Sequence, residues 1–237
     1  MNIINPATQE LIATVVADDQ QSIEQKVNSL RSGQKKWAAV PLAERVAIIR
    51  RFAELLQTNI ETCASVLTSE VGKPLQQAKN EVNGACARIE WLTANATKYL
   101  CEEWMVESGA TREKIVYEPL GIVCNISAWN YPYLVGTNVF VPALLAGNAV
   151  IYKPSELSTL TGMEIEKYLH AAGVPKNVFQ IAVGAKEVGE LLLTADLDAY
   201  FFNGSYATGK YIYERVSKKM KPCGLELGGK DPLYVTD

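Results

Sequence analysis

Between residues 121 and 227 the chain alternates short apolar runs with helical segments, and no other feature limits its possible folds so strongly. The apolar runs fall at 121–126, 149–152, 178–183, 199–202 and 224–227. The intervening stretches 132–145, 159–172, 186–193 and 205–220 read as helices. Pro142 is expected to kink the first of these, and Gly147 and Gly173 end the first two. Continuous apolar strands joined by helices predict an α/β fold with a parallel sheet covered on both faces. Ligands in such sheets sit at the carboxyl ends of strands. The residues just after each strand are therefore the first candidates for function.

The first hundred residues read as helices. Asp18 or Asp19 can cap a helix whose apolar stripe is Ile23, Val27, Leu30 and Trp37. Pro41 opens a second helix with Leu42, Val46, Ile49, Phe52 and Leu56 in register. A third, 60–71, stops at Gly72 with Pro74 beyond. A long fourth helix carries Leu75, Ala78, Val82, Ala85, Ile89, Leu92, Ala96 and Tyr99. Helical packing accounts for all four. Segments 102–107 and 114–118 then read as two strands around Ser108-Gly109-Ala110. An isolated hairpin is marginal in water, so this one is expected to dock, with another subunit as one possible support. The expected units are helices over 1–100, a hairpin over 101–119 and the sheet over 120–237.

Composition removes several function classes. Of 237 residues, 48% are hydrophobic and 21% charged, which suits a globular chain and not a disordered or fibrous one. A net charge of −3 gives no electrostatic reason to expect nucleic acid or an anionic membrane as partner. The apolar stretch 139–152 is broken by Pro142 and by Gly147-Asn148 and is too short to span a bilayer. The N-terminus has no basic, apolar signal-peptide pattern. The five Cys are scattered and never spaced as CxxC, which argues against a disulfide framework or a zinc site and for a reducing, cytoplasmic setting. His170 reads as a cation at a helix end, and the four basic residues of 215–221 as a solvated face.

Four strand ends carry unusual clusters. Ser127-Ala128-Trp129-Asn130-Tyr131-Pro132 follows the first run. Its Asn130 amide suits an oxyanion, although an ordinary Asx turn explains it as well. Lys153-Pro154-Ser155-Glu156 follows the second. A Lys donor and a Glu acceptor suit vicinal sugar hydroxyls, and Ser155 or Ser158 suits a helix cap. Asn203-Gly204-Ser205-Tyr206-Ala207-Thr208-Gly209 follows the fourth. Gly-Ser opening a helix offers backbone N–H groups to a phosphate, yet neither GxGxxG nor the P-loop pattern is met. Glu226-Leu227-Gly228-Gly229-Lys230-Asp231-Pro232 closes the series. Glu226 suits a general base there, or a partner for Lys230 or solvent.

Taken together, these segments resemble the aldehyde dehydrogenase superfamily. SAWNYP is similar to its P-W-N-F-P segment, KPSE stands verbatim, FNGSYATG resembles F-T-G-S-x-x-x-G, and LELGGKDP matches L-E-L-G-G-K-x-P. INPATQE and EPLG fit as well, so the resemblance covers the whole chain. It implies a Rossmann-like NAD(P)-binding core and oxidation of an aldehyde to a carboxylic acid through a Cys thioester. Carried over by motif, Asn130 becomes the oxyanion amide and Glu226 the base that activates water. The cofactor set is Ile126, Ser127, Trp129, Lys153, Pro154, Ser155, Glu156, Gly184, Gly204, Ser205, Gly209 and Leu227. Lys153 and Glu156 grip the adenine ribose, Gly204-Ser205 meets the pyrophosphate, and NAD is expected over NADP. Segment 101–119 matches strands that help make the oligomer.

Two departures bear on this. Ala128 and Tyr131 replace the family's usual Pro and Phe, conservatively. The family's nucleophilic Cys lies a few dozen residues beyond L-E-L-G-G, and none of Cys63, Cys86, Cys101, Cys124 or Cys223 matches that place. The expectation is therefore an amino-terminal, cofactor-binding half that is inactive alone. Its partners would be an aldehyde substrate and further copies of itself or a carboxyl-terminal half. The alternatives are a dinucleotide-binding module without chemistry and an association-only remnant. KPSE leans toward succinate-semialdehyde-type members.

Overall fold

The computed structural model describes residues 1–108 and 110–236. Gly109, inside the expected 108–110 turn, and Asp237 lie outside the described residues. The chain opens with β1 (Asn2–Ile4) and β2 (Leu11–Thr14), an antiparallel pair. The helical reading of the first hundred residues missed this pair. Its strands are short and mostly exposed, so no hydrophobic period marks them.

Four helices follow: α1 (Gln20–Ala38), α2 (Leu42–Thr58), α3 (Ile60–Val71) and α4 (Leu75–Leu100). Asp19 is the cap of α1, its side chain accepting from Ser22 N–H at 2.8 Å. Leu30, Ile49, Phe52 and Leu56 are fully buried, as their stripes require. Leu75 and Tyr99, at the two ends of α4, are exposed instead. At 26 residues α4 is longer than α2 or α3, on which it packs, so its ends extend past them. Next comes an antiparallel hairpin, β3 (Glu103–Val106) and β4 (Glu113–Ile115), shorter than expected and exposed at every strand position.

The remainder alternates as β5 (Ile122–Ile126), α5 (Pro132–Leu145), β6 (Ala149–Lys153), α6 (Thr159–Ala172), β7 (Phe179–Ile181), α7 (Lys186–Thr194), β8 (Ala199–Gly204), α8 (Tyr206–Val216) and β9 (Cys223–Leu227). All five strands are parallel, in the order β7-β6-β5-β8-β9. Side chains alternate between two cores, as the pleat dictates. Ile122, Cys124 and Ile151 face α1, α7 and α8, while Val123, Val150 and Tyr152 face the helices α2 to α6. Side chains, not a further strand, satisfy the β7 edge. Lys26 donates to the Ile181 carbonyl at 2.8 Å, and Glu166 accepts the Ile181 N–H at 3.0 Å. Among the described residues no helix is long and apolar enough to cross a membrane.

Strand order reverses between β5 and β8. The next strand after β5 lies on one side of it, and the fourth returns to the other. A crevice must open above their carboxyl ends, where ligands bind in such sheets.

The α6 N-terminus corrects one expectation. Ser158 holds the cap position, but its side chain makes no capping bond. Glu70 of α3 does that work from a distance, accepting Leu160 N–H at 2.7 Å and Thr161 N–H at 3.0 Å. Burial pushes the Glu70 carboxyl up from its ordinary 4.5 to about 7, against those two hydrogen bonds. The folded chain thus keeps a proton here that the unfolded chain releases near 4.5, so stability should fall as pH rises from 4.5 through 7. Glu70→Gln should flatten this slope, the difference across the window being on the order of 3 kcal/mol. Urea unfolding of both chains at several pH values checks it, and parallel slopes would refute it.

Candidate functional site

The crevice is a cleft of about 1290 Å³ floored by the carboxyl ends of β5, β6, β8 and β9 and walled by α7 and α8. Lys153, the last residue of β6, lies on the α7 side of the sheet with only 5% of its surface exposed. Its Nζ donates to one protein acceptor among the described residues, the neighbouring Pro154 carbonyl at 3.2 Å. Burial pulls its pKa down, and Glu156 nearby pushes it back up. An ammonium so buried and so poorly satisfied is costly unless something else meets it. Glu156 is exposed at the rim, with the Ser155 hydroxyl 3.4 Å from its Oε2.

Two further buried polar atoms of the cleft lining lack a protein partner among the described residues, Ser127 Oγ and Asn203 Oδ1. The first residue of α8 follows Ser205, whose Oγ accepts Thr208 N–H at 3.3 Å. The other amides of this first turn stay available to an anion. Trp129 and Asn130 are exposed on the loop after β5. Asn130 Oδ1 accepts the N–H of the next residue, Tyr131, at 3.1 Å, one residue short of the contact that defines an Asx turn, and Pro132 has no N–H to make that contact. It leaves the Asn130 Nδ2 without a protein acceptor among the described residues.

The whole chain, residues 1–237, matches the profile of the Aldehyde dehydrogenase family. The chain belongs to the aldehyde dehydrogenase family. Over 235 residues it is 34% identical to N-succinylglutamate 5-semialdehyde dehydrogenase 1 of Caulobacter vibrioides, covering 98% of this chain and 50% of that protein. It superimposes on an apo indole-3-acetaldehyde dehydrogenase with a TM-score of 0.93 at 31% identity, covering 98% of this chain and 54% of that one. A variant of Staphylococcus aureus betaine aldehyde dehydrogenase, solved with NAD+, gives a TM-score of 0.91 at 29% identity, covering 97% and 47%. The chain spans about half the length of the relatives it matches.

The family's motif residues divide into two groups in this aldehyde dehydrogenase chain. Ile126, Ser127, Trp129, Asn130, Lys153, Ser155, Glu156, Gly204, Ser205, Glu226 and Leu227 come together around the cleft. Pro154, Gly184 and Gly209 do not line it. Pro154 packs on Gly162, where an added Cβ would sit 2.6 Å from its ring. Gly184 turns the chain at φ +149, a region that favours glycine. Gly209 lets α8 close on Leu227, whose side chain would lie 2.5 Å from a Cβ there. Glu226 is exposed, in agreement with the solvent-facing alternative, and lies on β9 at the edge of the sheet.

None of the five cysteines lines the cleft. Burial pushes the Cys86 thiol up to about 11 and Cys124 to about 12, which keeps both protonated and poorly nucleophilic. The sequence reading missed the α7 wall, Lys186, Gly189 and Glu190, and its partner Tyr211 on α8, whose hydroxyl donates to Glu190 at 2.8 Å. Applying the strand-end rule to β7, as to its neighbours, points to this stretch.

A buried ammonium with one weak acceptor costs stability, so removing it should stabilise the protein measured without added cofactor. Lys153→Met is expected to raise the urea midpoint, by about 1–2 kcal/mol of stability, at unchanged m-value. A lowered midpoint would mean the ammonium is already satisfied.

Proposed function

We propose that this chain is the cofactor-holding half of an NAD-dependent enzyme that oxidises an aldehyde to a carboxylic acid. The observation that carries this reading is the buried, under-satisfied Lys153 ammonium at the point of strand reversal. Its N–H groups suit the acceptor side of ribose hydroxyls, and Glu156 suits their donor side. Ser127 Oγ and Asn203 Oδ1, on the lining of the same cleft and without a partner among the described residues, fit a polar ligand too. The free amides at the start of α8, with Gly204 and Ser205, suit the pyrophosphate. Trp129, Ile126, Ser155 and Leu227 supply the walls, while Pro154, Gly184 and Gly209 shape them from behind. NAD, when bound, accepts the hydride that leaves the aldehyde carbon.

Asn130 Nδ2 is the donor for the oxyanion formed when a thiolate adds to the aldehyde. Glu226 takes the proton from the water that releases the acid. The thiolate is not among the five cysteines described above. We therefore read the chain as inactive alone, working with residues beyond its own, and the β3–β4 hairpin as a surface for further copies. Trp104, Met105, Val106 and Ile115 are all exposed on that hairpin. Five unpaired cysteines suit a reducing, cytoplasmic setting.

Cofactor choice follows from Glu156. A carboxylate at the ribose repels a 2′-phosphate, so NAD should bind on the order of 10–100-fold tighter than NADP. Glu156→Gln should narrow that gap. Calorimetric titration of both cofactors decides it, and equal affinities unchanged by the substitution would refute the assignment.

Catalysis is the second test. Losing the nucleophile costs about as much as losing the whole catalytic unit, on the order of 10⁶-fold. NADH production from a panel of aldehydes, and ester hydrolysis, should both stay at background for the purified chain. Turnover abolished by Cys→Ala at one of the five cysteines would overturn this reading.

A further inference from the structure

One buried ion pair is left without a role by the reading above. Lys73 lies in the turn between α3 and α4, and Glu81 lies in the second turn of α4. Their side chains are 9% and 0% exposed, with Lys73 Nζ on Glu81 Oε2. Neither residue lines the cleft. Burying two charges gives little stability over an apolar pair of the same size, so the pair invites a further explanation.

Its other contacts supply one. Lys73 Nζ also donates to the Asn130 carbonyl. It stands 3.6 Å from the centroid of the Tyr131 ring. The remaining Glu81 oxygen, Oε1, accepts the Tyr133 N–H at 2.8 Å. A single ion pair therefore grips the carbonyl of residue 130, the ring of 131 and the amide of 133. These are the residues through which β5 turns into α5.

Pro132 and Tyr133 are buried at the start of α5, and the Tyr131 carbonyl accepts Val135 N–H, so the far end of the turn is held by the helix itself and the near end is not. Trp129, Asn130 and Tyr131 are all exposed, so burial does not fix them. The Asn130 side chain spends its Oδ1 on Tyr131 N–H, which orients the amide relative to the local backbone only. Orienting it relative to the sheet requires an anchor on another element. Lys73 and Glu81, carried by the α3–α4 layer, provide that anchor from the side away from the cleft.

We propose that Lys73 and Glu81 are positioning residues that hold the 129–133 turn so that Trp129 and the Asn130 amide face the cleft. The proposal rests on the reading of that cleft as the cofactor and oxyanion site. Neither residue touches the cofactor or the reacting atoms; both act through the turn.

The test uses the chain itself. The double variant Lys73→Met/Glu81→Leu removes both charges, so neither is left buried alone. It is expected to fold, to exchange the Tyr133 amide roughly tenfold faster, and to shift the Asn130 side-chain amide signals in a ¹⁵N spectrum. Its NAD affinity should fall several-fold, and Lys73→Arg should recover part of that loss. Should the double variant not fold, Lys73→Gln, which keeps a donor without the charge, decides on the same readouts. Faster exchange at Tyr133 with unmoved Asn130 signals and wild-type NAD affinity would make the pair a structural staple and overturn the proposal. Wild-type values throughout would also overturn it. A wild-type chain that binds no NAD would sink the cofactor reading instead, and the exchange and Asn130 signals would still decide the clamp.

Discussion

The strand reversal between β5 and β8 is the constraint from which the site descends. A parallel sheet needs a helical crossover for each new strand, and crossovers on the two sides of β5 leave in opposite directions. No connection can cover the carboxyl ends of both central strands, so the crevice there is a product of topology and not of any one residue. The loops after β5, β6, β8 and β9 all empty into it. Chemistry then depends only on which side chains those loops carry.

Three buried charged groups show how differently this fold treats desolvation. Glu70 meets it by accepting two backbone N–H groups at the start of α6 and by keeping its proton toward neutral pH. Glu81 is pushed up by burial as well, but Lys73 opposes the shift. Among the described residues Lys153 has neither a carboxylate in contact nor a second acceptor. Two of the three are satisfied within the chain and serve its architecture. The third is the exception, and it lies in the cleft. A buried charge becomes informative about ligands only when the accounting of its partners comes up short.

The two arms of the cleft also differ in support. The β6 arm is rigid: Lys153 is in the strand, and Pro154 is locked against Gly162. The β5 arm is an exposed turn, steadied from behind by Lys73 and Glu81. Glu226, on the edge strand β9, has no such support from the described residues.

Period and punctuation in the amino-acid sequence determined the α/β alternation, because burial on two faces demands continuous apolar strands and one apolar stripe per helix. Four of the five strand ends, and with them Asn130, Lys153, Glu156, Ser205 and Glu226, were legible for the same reason. The N-terminal β1–β2 pair was not, since strands that short and exposed carry no period. Only the tertiary structure decided which polar residues are buried and what they meet. Glu70 lies 90 residues in sequence from the amide it caps, and Lys73 lies 57 from the carbonyl it holds. Local patterns encode which face of an element is apolar. They do not encode which distant backbone group will arrive beside a charged side chain, because that is set by how the layers pack.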